Sequence, residues 1–164
     1  MEKEEFTDNK LLHQLAAYCT RSERSPRQVS QWLIRHRVDK MHHKYYTKRL
    51  QELDFLSPER FAAAFFADKS RFSGWGEYKI RHHLLEHGLS VELVEKTLED
   101  VEESREEVER TLTRLLQNKL SLIKAKNDGE RKCKLIRFGI GRGFAPELVI
   151  QVADTLLSSY EEYE

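Results

Sequence analysis

Cysteine is nearly absent: Cys19 and Cys133 are the only two in 164 residues. A secreted disulfide scaffold of this size would need more, so both are expected to be reduced thiols. Three prolines and seven glycines are too few for a loop-rich or collagenous chain. Runs of Val, Ile and Thr are scarce, which argues against a sheet protein. No apolar stretch approaches the length that spans a bilayer. The opening Met1-Glu2-Lys3-Glu4-Glu5 lacks the basic-then-apolar plan of a signal peptide, so a soluble, cytoplasmic protein with no membrane contact is expected.

Charge is abundant instead, at 34% of residues, yet the formal net charge is zero. The balance is local rather than uniform. Residues 21–49 hold nine Lys/Arg against Glu23 and Asp39, and residues 110–142 hold ten against Asp128 and Glu130. Between them, residues 92–109 hold nine Asp/Glu against Lys96 and Arg105. Two basic blocks flanking an acidic one suit a partner that also carries patterned charge, and suit a net-positive DNA sponge less well.

Leu, Glu, Lys, Arg and Ala dominate, and apolar spacing of three and four predicts helices throughout. Ser57 and Pro58 have the residue types for a cap and a first helical position ahead of a helix over 60–69, with Phe61, Phe65, Ala62 and Phe66 as its stripe. A turn follows at 73–76. The next helix carries Ile80 and Leu84 and ends at Gly88, and Ser90 caps a third with Val91, Val94, Leu98 and Val101. The frame then repeats. Leu135, Gly139, Gly143, Phe144 and Ala145 stand in register with Ile80, Leu84, Gly88, Leu89 and Ser90. Val29, Leu33, Arg37, Val38 and Asp39 take the same places near the start. Arg37 replaces the glycine, so a different cap is expected there. Ser104-Arg105-Glu106-Glu107 reads as a capping box opening a helix over 104–123, and a last helix is expected over 146–157.

The expected fold is all-α: a tandem array of three three-helix repeats, elongated and curved. Its predicted divisions are a tail over 1–8, repeats over 9–55, 56–103 and 104–158, and an acidic tail over 159–164.

These residues resemble one family. Phe55-Leu56-Ser57-Pro58-Glu59-Arg60-Phe61-Ala62, Ile80 through Leu84 to Gly88-Leu89, Arg142-Gly143-Phe144, and Arg24-Ser25-Pro26-Arg27-Gln28-Val29 through Leu33 are similar to the ordered motifs of RecX-type regulators, over residues 10–157. Gln28, Val29, Trp32, Ser57 and Pro58 depart from the usual residues. Gly139 replaces a bulky core residue and is expected to weaken packing. The resemblance implies a small protein that binds the helical RecA–DNA filament and blocks ATP hydrolysis, strand exchange and co-protease function, or promotes filament shortening. It carries over no catalytic residues and no cofactor, and a monomer is expected.

Other chemistry finds little support. Residues 139–143 are glycine-dense but lack the Lys-Ser/Thr of a phosphate loop, and read as a flexible helix end. His83 and His87 stand four apart, but no third metal ligand has suitable spacing. Glu102-Glu103 and Glu106-Glu107 read as a solvated helix face, and no nucleophile elbow occurs.

The basic blocks supply the candidate surface for the partner or nucleic acid: Arg24, Arg27, Arg35, Arg37, Lys40, Lys44, Lys48, Arg49, Lys132, Arg137 and Arg142. Tyr45 and Tyr46 lie among them and could stack on bases. Trp32, Trp75, Phe72 and Phe138 read as core or inter-unit packing. Binding along the RecA filament is the first reading, and direct DNA binding is the alternative.

Overall fold

The computed structural model describes residues 8–101 and 105–161. Among them the chain forms α1 (Asn9–Thr20), α2 (Pro26–Arg35), α3 (Lys40–Glu52), α4 (Pro58–Arg71), α5 (Glu77–Glu86), α6 (Val91–Asp100), α7 (Arg105–Leu120), α8 (Asp128–Gly141) and α9 (Pro146–Glu161). The helices group in threes, each trio closed around its own apolar cluster. Leu15, Val29, Leu33, Tyr46, Leu50 and Leu56 fill the first unit. Phe61, Ala62, Phe66, Ile80, Leu84 and Val94 fill the second. Leu112, Leu116, Leu135, Phe144, Val149 and Ala153 fill the third. Fully burying one such Leu or Ile contributes about 1.5–3 kcal/mol, so each small core is modest and the contacts between units matter.

Side chains set the helix starts. Asp8, Ser25, Asp39, Ser57, Ser90 and Asn127 each accept a backbone N–H from the first turn that follows. Ser25 and Gln28 close a reciprocal box around the start of α2. The box read at Ser104, like Glu102 and Glu103, lies outside the described residues. α7 stops at Leu120 rather than 123, and α9 runs on to Glu161, so the expected acidic tail begins as helix.

The second helix of every unit ends in one geometry. Arg37, Gly88 and Gly143 all adopt positive φ, at 59°, 86° and 94°. The next residue's N–H then reaches back five positions, from Val38 to Leu33, from Leu89 to Leu84 and from Phe144 to Gly139. The different cap expected at Arg37 is therefore absent: the same motif forms there, with the strain of a side chain in the left-handed region.

Three further expectations change. Gly139 is buried inside α8, and a Cβ there would come within 2.6 Å of Val149 Cγ1, so the glycine permits close α8–α9 packing instead of weakening it. Gly143 is also buried, so Gly139 and Gly143 anchor the two ends of the 139–143 segment, expected as a flexible end, while Ile140 and Gly141 between them face solvent. Phe72, assigned to packing, is 85% exposed just past the end of α4.

Candidate partner interface

The eleven basic candidates do not share one surface. Four of them join helices. Arg24 lies 3.9 Å over the Tyr18 ring and donates to the Tyr18 carbonyl, holding the α1–α2 turn. Arg27 donates from its guanidinium to the Glu86 carbonyl at 3.1 Å, and from its backbone to the His87 carbonyl. Arg142 donates to the Ser73 carbonyl, and its Nε is buried. Lys132 pairs with Asp154 across α8 and α9 at 2.6 Å. Lys48 and Arg49 both approach Glu52, at 3.9 and 3.2 Å, which offsets part of their charge.

Arg35, Arg37, Lys40 and Lys44 remain. All are exposed, and none has an acidic partner among the described residues. They cluster because Arg35 ends α2, Arg37 turns the chain, and Lys40 and Lys44 lie one turn apart on the first half of α3. Arg35 and Arg37 also sit at the negative end of the α2 dipole, which favours cations there. Ile34 is 52% exposed and Met41 75% exposed among them, so the patch is basic with apolar points. His36 is stacked on Trp32 at 3.6 Å and bonds the Trp32 carbonyl, which ties the patch to the first core. The tyrosines do not serve it. Tyr46 is fully buried and Tyr45 is packed against the same core, so neither presents a ring for base stacking.

Arg137 belongs elsewhere. It lines a groove of about 530 Å³ on the third unit with Lys119, Leu122, Ile123, Lys124, Lys134 and Phe138. Lys119, partly buried in the last turn of α7, and Leu122, exposed because α7 ends early, escaped the sequence reading.

The units meet through their second helices. At the first joint, the Arg27 N–H at the start of α2 donates to the His87 carbonyl at the end of α5, and Ser25 Oγ and His87 Nδ1 share a bond of 2.9 Å. Arg60 of α4 adds ion pairs to Glu23 at 2.9 Å and Asp54 at 2.7 Å. At the second joint, the Gly76 and Tyr78 N–H groups at the start of α5 donate to the Arg142 and Gly143 carbonyls after α8, at 2.8 and 3.0 Å. Gly76 has no side chain to cap α5, and these carbonyls supply acceptors for its orphan donors. Helix starts thus meet helix ends in series, and the end of α2 with its basic patch is left open.

His87 lies between Phe61 and Phe65, with ring centroids at 5.0 and 5.4 Å. Burial holds its pKa below the ordinary 6.5, and Arg27, His83 and Lys69 lower it further against the pull of Glu86. Cys19 is pushed up to about 11 by burial, which makes it a poor nucleophile. Among the described residues no group of three His, Cys, Asp or Glu side chains is placed to hold a metal. His87 Nδ1 is engaged by Ser25, and His83 Nδ1 is 3.3 Å from Glu86. No helix among the described residues is long and apolar enough to cross a membrane.

These features define an all-α helical-repeat protein. Residues 59–98 match the family model for the second three-helix domain of RecX, which coincides with the α4–α6 unit. A regulatory protein RecX of Oceanobacillus iheyensis is 29% identical over 143 residues, 86% of this chain and 52% of that one. One of Chlorobium phaeobacteroides is 27% identical over 112 residues, covering 68% of this chain and 70% of its own. A crystal structure of regulatory protein RecX superposes with a TM-score of 0.80 at 15% identity, covering 89% of this chain and 72% of that one. The structure of RecX from Lactobacillus salivarius gives 0.72 at 16% identity, covering 90% and 95%. In sequence and in fold the chain is similar to RecX regulatory proteins. It spans about half the length of the Oceanobacillus relative.

Proposed function

We propose that this chain regulates the RecA recombinase in the cytoplasm by binding its DNA filament, with the open basic end of the first unit as a principal contact. The observation that carries this reading is the cluster of Arg35, Arg37, Lys40 and Lys44. Most other basic candidates are spent inside the molecule, while these four have no acidic partner among the described residues. The relatives' name, regulatory protein RecX, supports the regulatory role. Three units in series, taken as residues 9–55, 56–103 and 104–158, would lie along successive filament subunits and gain affinity from several weak contacts. The expected consequences are inhibition of ATP hydrolysis, strand exchange and co-protease activity, with no catalysis by the chain itself.

The test is RecA ATPase activity on single-stranded DNA, titrated with the wild type and with a variant carrying R35E, R37E, K40E and K44E. All four side chains are exposed, so unchanged circular dichroism is expected. The variant should need about tenfold more protein for equal inhibition, the scale of several screened charge contacts. Equal potency would reject the patch. If wild-type binding to naked DNA falls steeply with salt and the variant loses it in parallel, direct DNA binding becomes the better reading.

A further inference from the structure

We propose that the groove on the third unit is a docking site for an acidic peptide segment of a partner protein, anchored by an aliphatic or aromatic residue. The groove lies between the last turn of α7, the connection that follows it, and one face of α8. Four cations ring it. Lys134 is held by Glu130 at 2.9 Å and by the Lys124 carbonyl at 2.6 Å. Lys119, Lys124 and Arg137 have no acidic partner among the described residues. Leu122 stands 75% exposed at the rim, with Ile123 partly buried beside it. An aliphatic side chain held in water among four cations, three of them with no acidic partner among the described residues, is complementary to an anionic segment with an apolar residue at its centre.

A single nucleic-acid strand fits the groove less well. Stacking needs an open aromatic face, and the one ring here, Phe138, is packed against the third core. Its neighbours further occupy it: Lys119 Nζ lies 5.2 Å from its centroid and the Arg142 guanidinium 5.9 Å. The apolar offering is aliphatic, which suits a side chain more than a base. The groove takes such a peptide whichever protein carries it, so this inference stands apart from the reading of the basic end of α2.

The test uses the full chain and a fluorescein-labelled peptide with a central Leu-Phe pair flanked by Asp and Glu, read by anisotropy. Binding should saturate and weaken as salt rises. The K124E/R137E variant should lose about tenfold in affinity, and Leu122→Ser should lose about threefold. Both alter exposed positions, and circular dichroism checks that each remains folded. The R35E/K44E variant should bind the peptide unchanged. A peptide with Ala-Ala in place of Leu-Phe that binds equally well would overturn the anchor. Equal binding by K124E/R137E would overturn the site. Tighter binding of an oligo-dT strand, lost in the same variant, would make the groove a nucleic-acid surface and reject the proposal.

Discussion

The two joints use the same contact, a helix start against the end of the next unit's second helix, and fix it by different means. Between the second and third units the fit is mainly of backbone on backbone, with the Arg142 guanidinium bonding the Ser73 carbonyl beside it. Gly74, Gly76 and Gly143 are all buried, and a Cβ on Gly143 would come within 2.6 Å of the Lys79 backbone nitrogen. Between the first and second units a single backbone bond, from Arg27 to His87, is supplemented by side chains. Ser25 and His87 share a hydrogen bond, Arg60 reaches two carboxylates, and a Cβ on Gly88 would meet nothing closer than 3.7 Å. A glycine lock has no partial states, whereas ion pairs and an imidazole respond to salt and protons. The lesson is that one repeated contact can be made rigid or adaptable by the residues at its edge. Here the adaptable joint carries the unit with the open basic end.

The largest break should come at the locked joint. Gly143→Ala combines positive φ with a backbone collision and should cost about 3 kcal/mol or more in urea unfolding, with loss of the α5–α8 contact. Gly88→Ala meets only the conformational strain and should cost about 1 kcal/mol by the same measurement. Equal losses at the two glycines would erase the contrast. Arg37→Gly removes a side chain from the left-handed region at the open end and should gain about 0.5–1 kcal/mol, at the expense of one cation in the patch.

The smallest effect is the pH response of the first joint. His87 has a folded pKa below its ordinary 6.5, so the unfolded chain takes up the proton first. Stability is therefore full above 6.5, falls as the pH drops through that value, and levels off below the folded pKa. Arg27 of α2, Lys69 of α4, and His83 and Glu86 of α5 surround the ring and set the depth of that fall. Urea unfolding of the wild type against His87→Gln, between pH 7.5 and 5, should isolate it, with the variant showing the shallower slope.

Much of the fold was legible because apolar spacing and caps are local signals. Ile80 and Leu84, Val29 and Leu33, and the Ser57-Pro58 start all occupy the positions their spacing implies. The three-fold frame was legible in Gly88 and Gly143 for the same reason. Arg37 misled because residue type suggested a different cap, while the repeated packing imposed one backbone geometry on all three copies. Gly139 misled because its value lies in a neighbour, Val149, that the sequence does not place beside it. The candidate surface was only partly legible. Composition counts cations, but whether Arg142 reaches the Ser73 carbonyl or Lys40 faces water depends on contacts between distant segments.

The most direct test of the locked and adaptable joints is a pair of distance distributions from pulsed electron–electron resonance. Spin labels at Lys48 and Glu92 span the first joint, and labels at Glu92 and Gln117 span the second, in a chain carrying Cys133→Ser and retaining the buried Cys19. The account predicts a narrow Glu92–Gln117 distribution that is unchanged between pH 7.5 and 5, and a Lys48–Glu92 distribution that is broader at pH 7.5 and broadens further as the pH falls through the depressed folded pKa of His87. Two distributions of equal width at both pH values would contradict it.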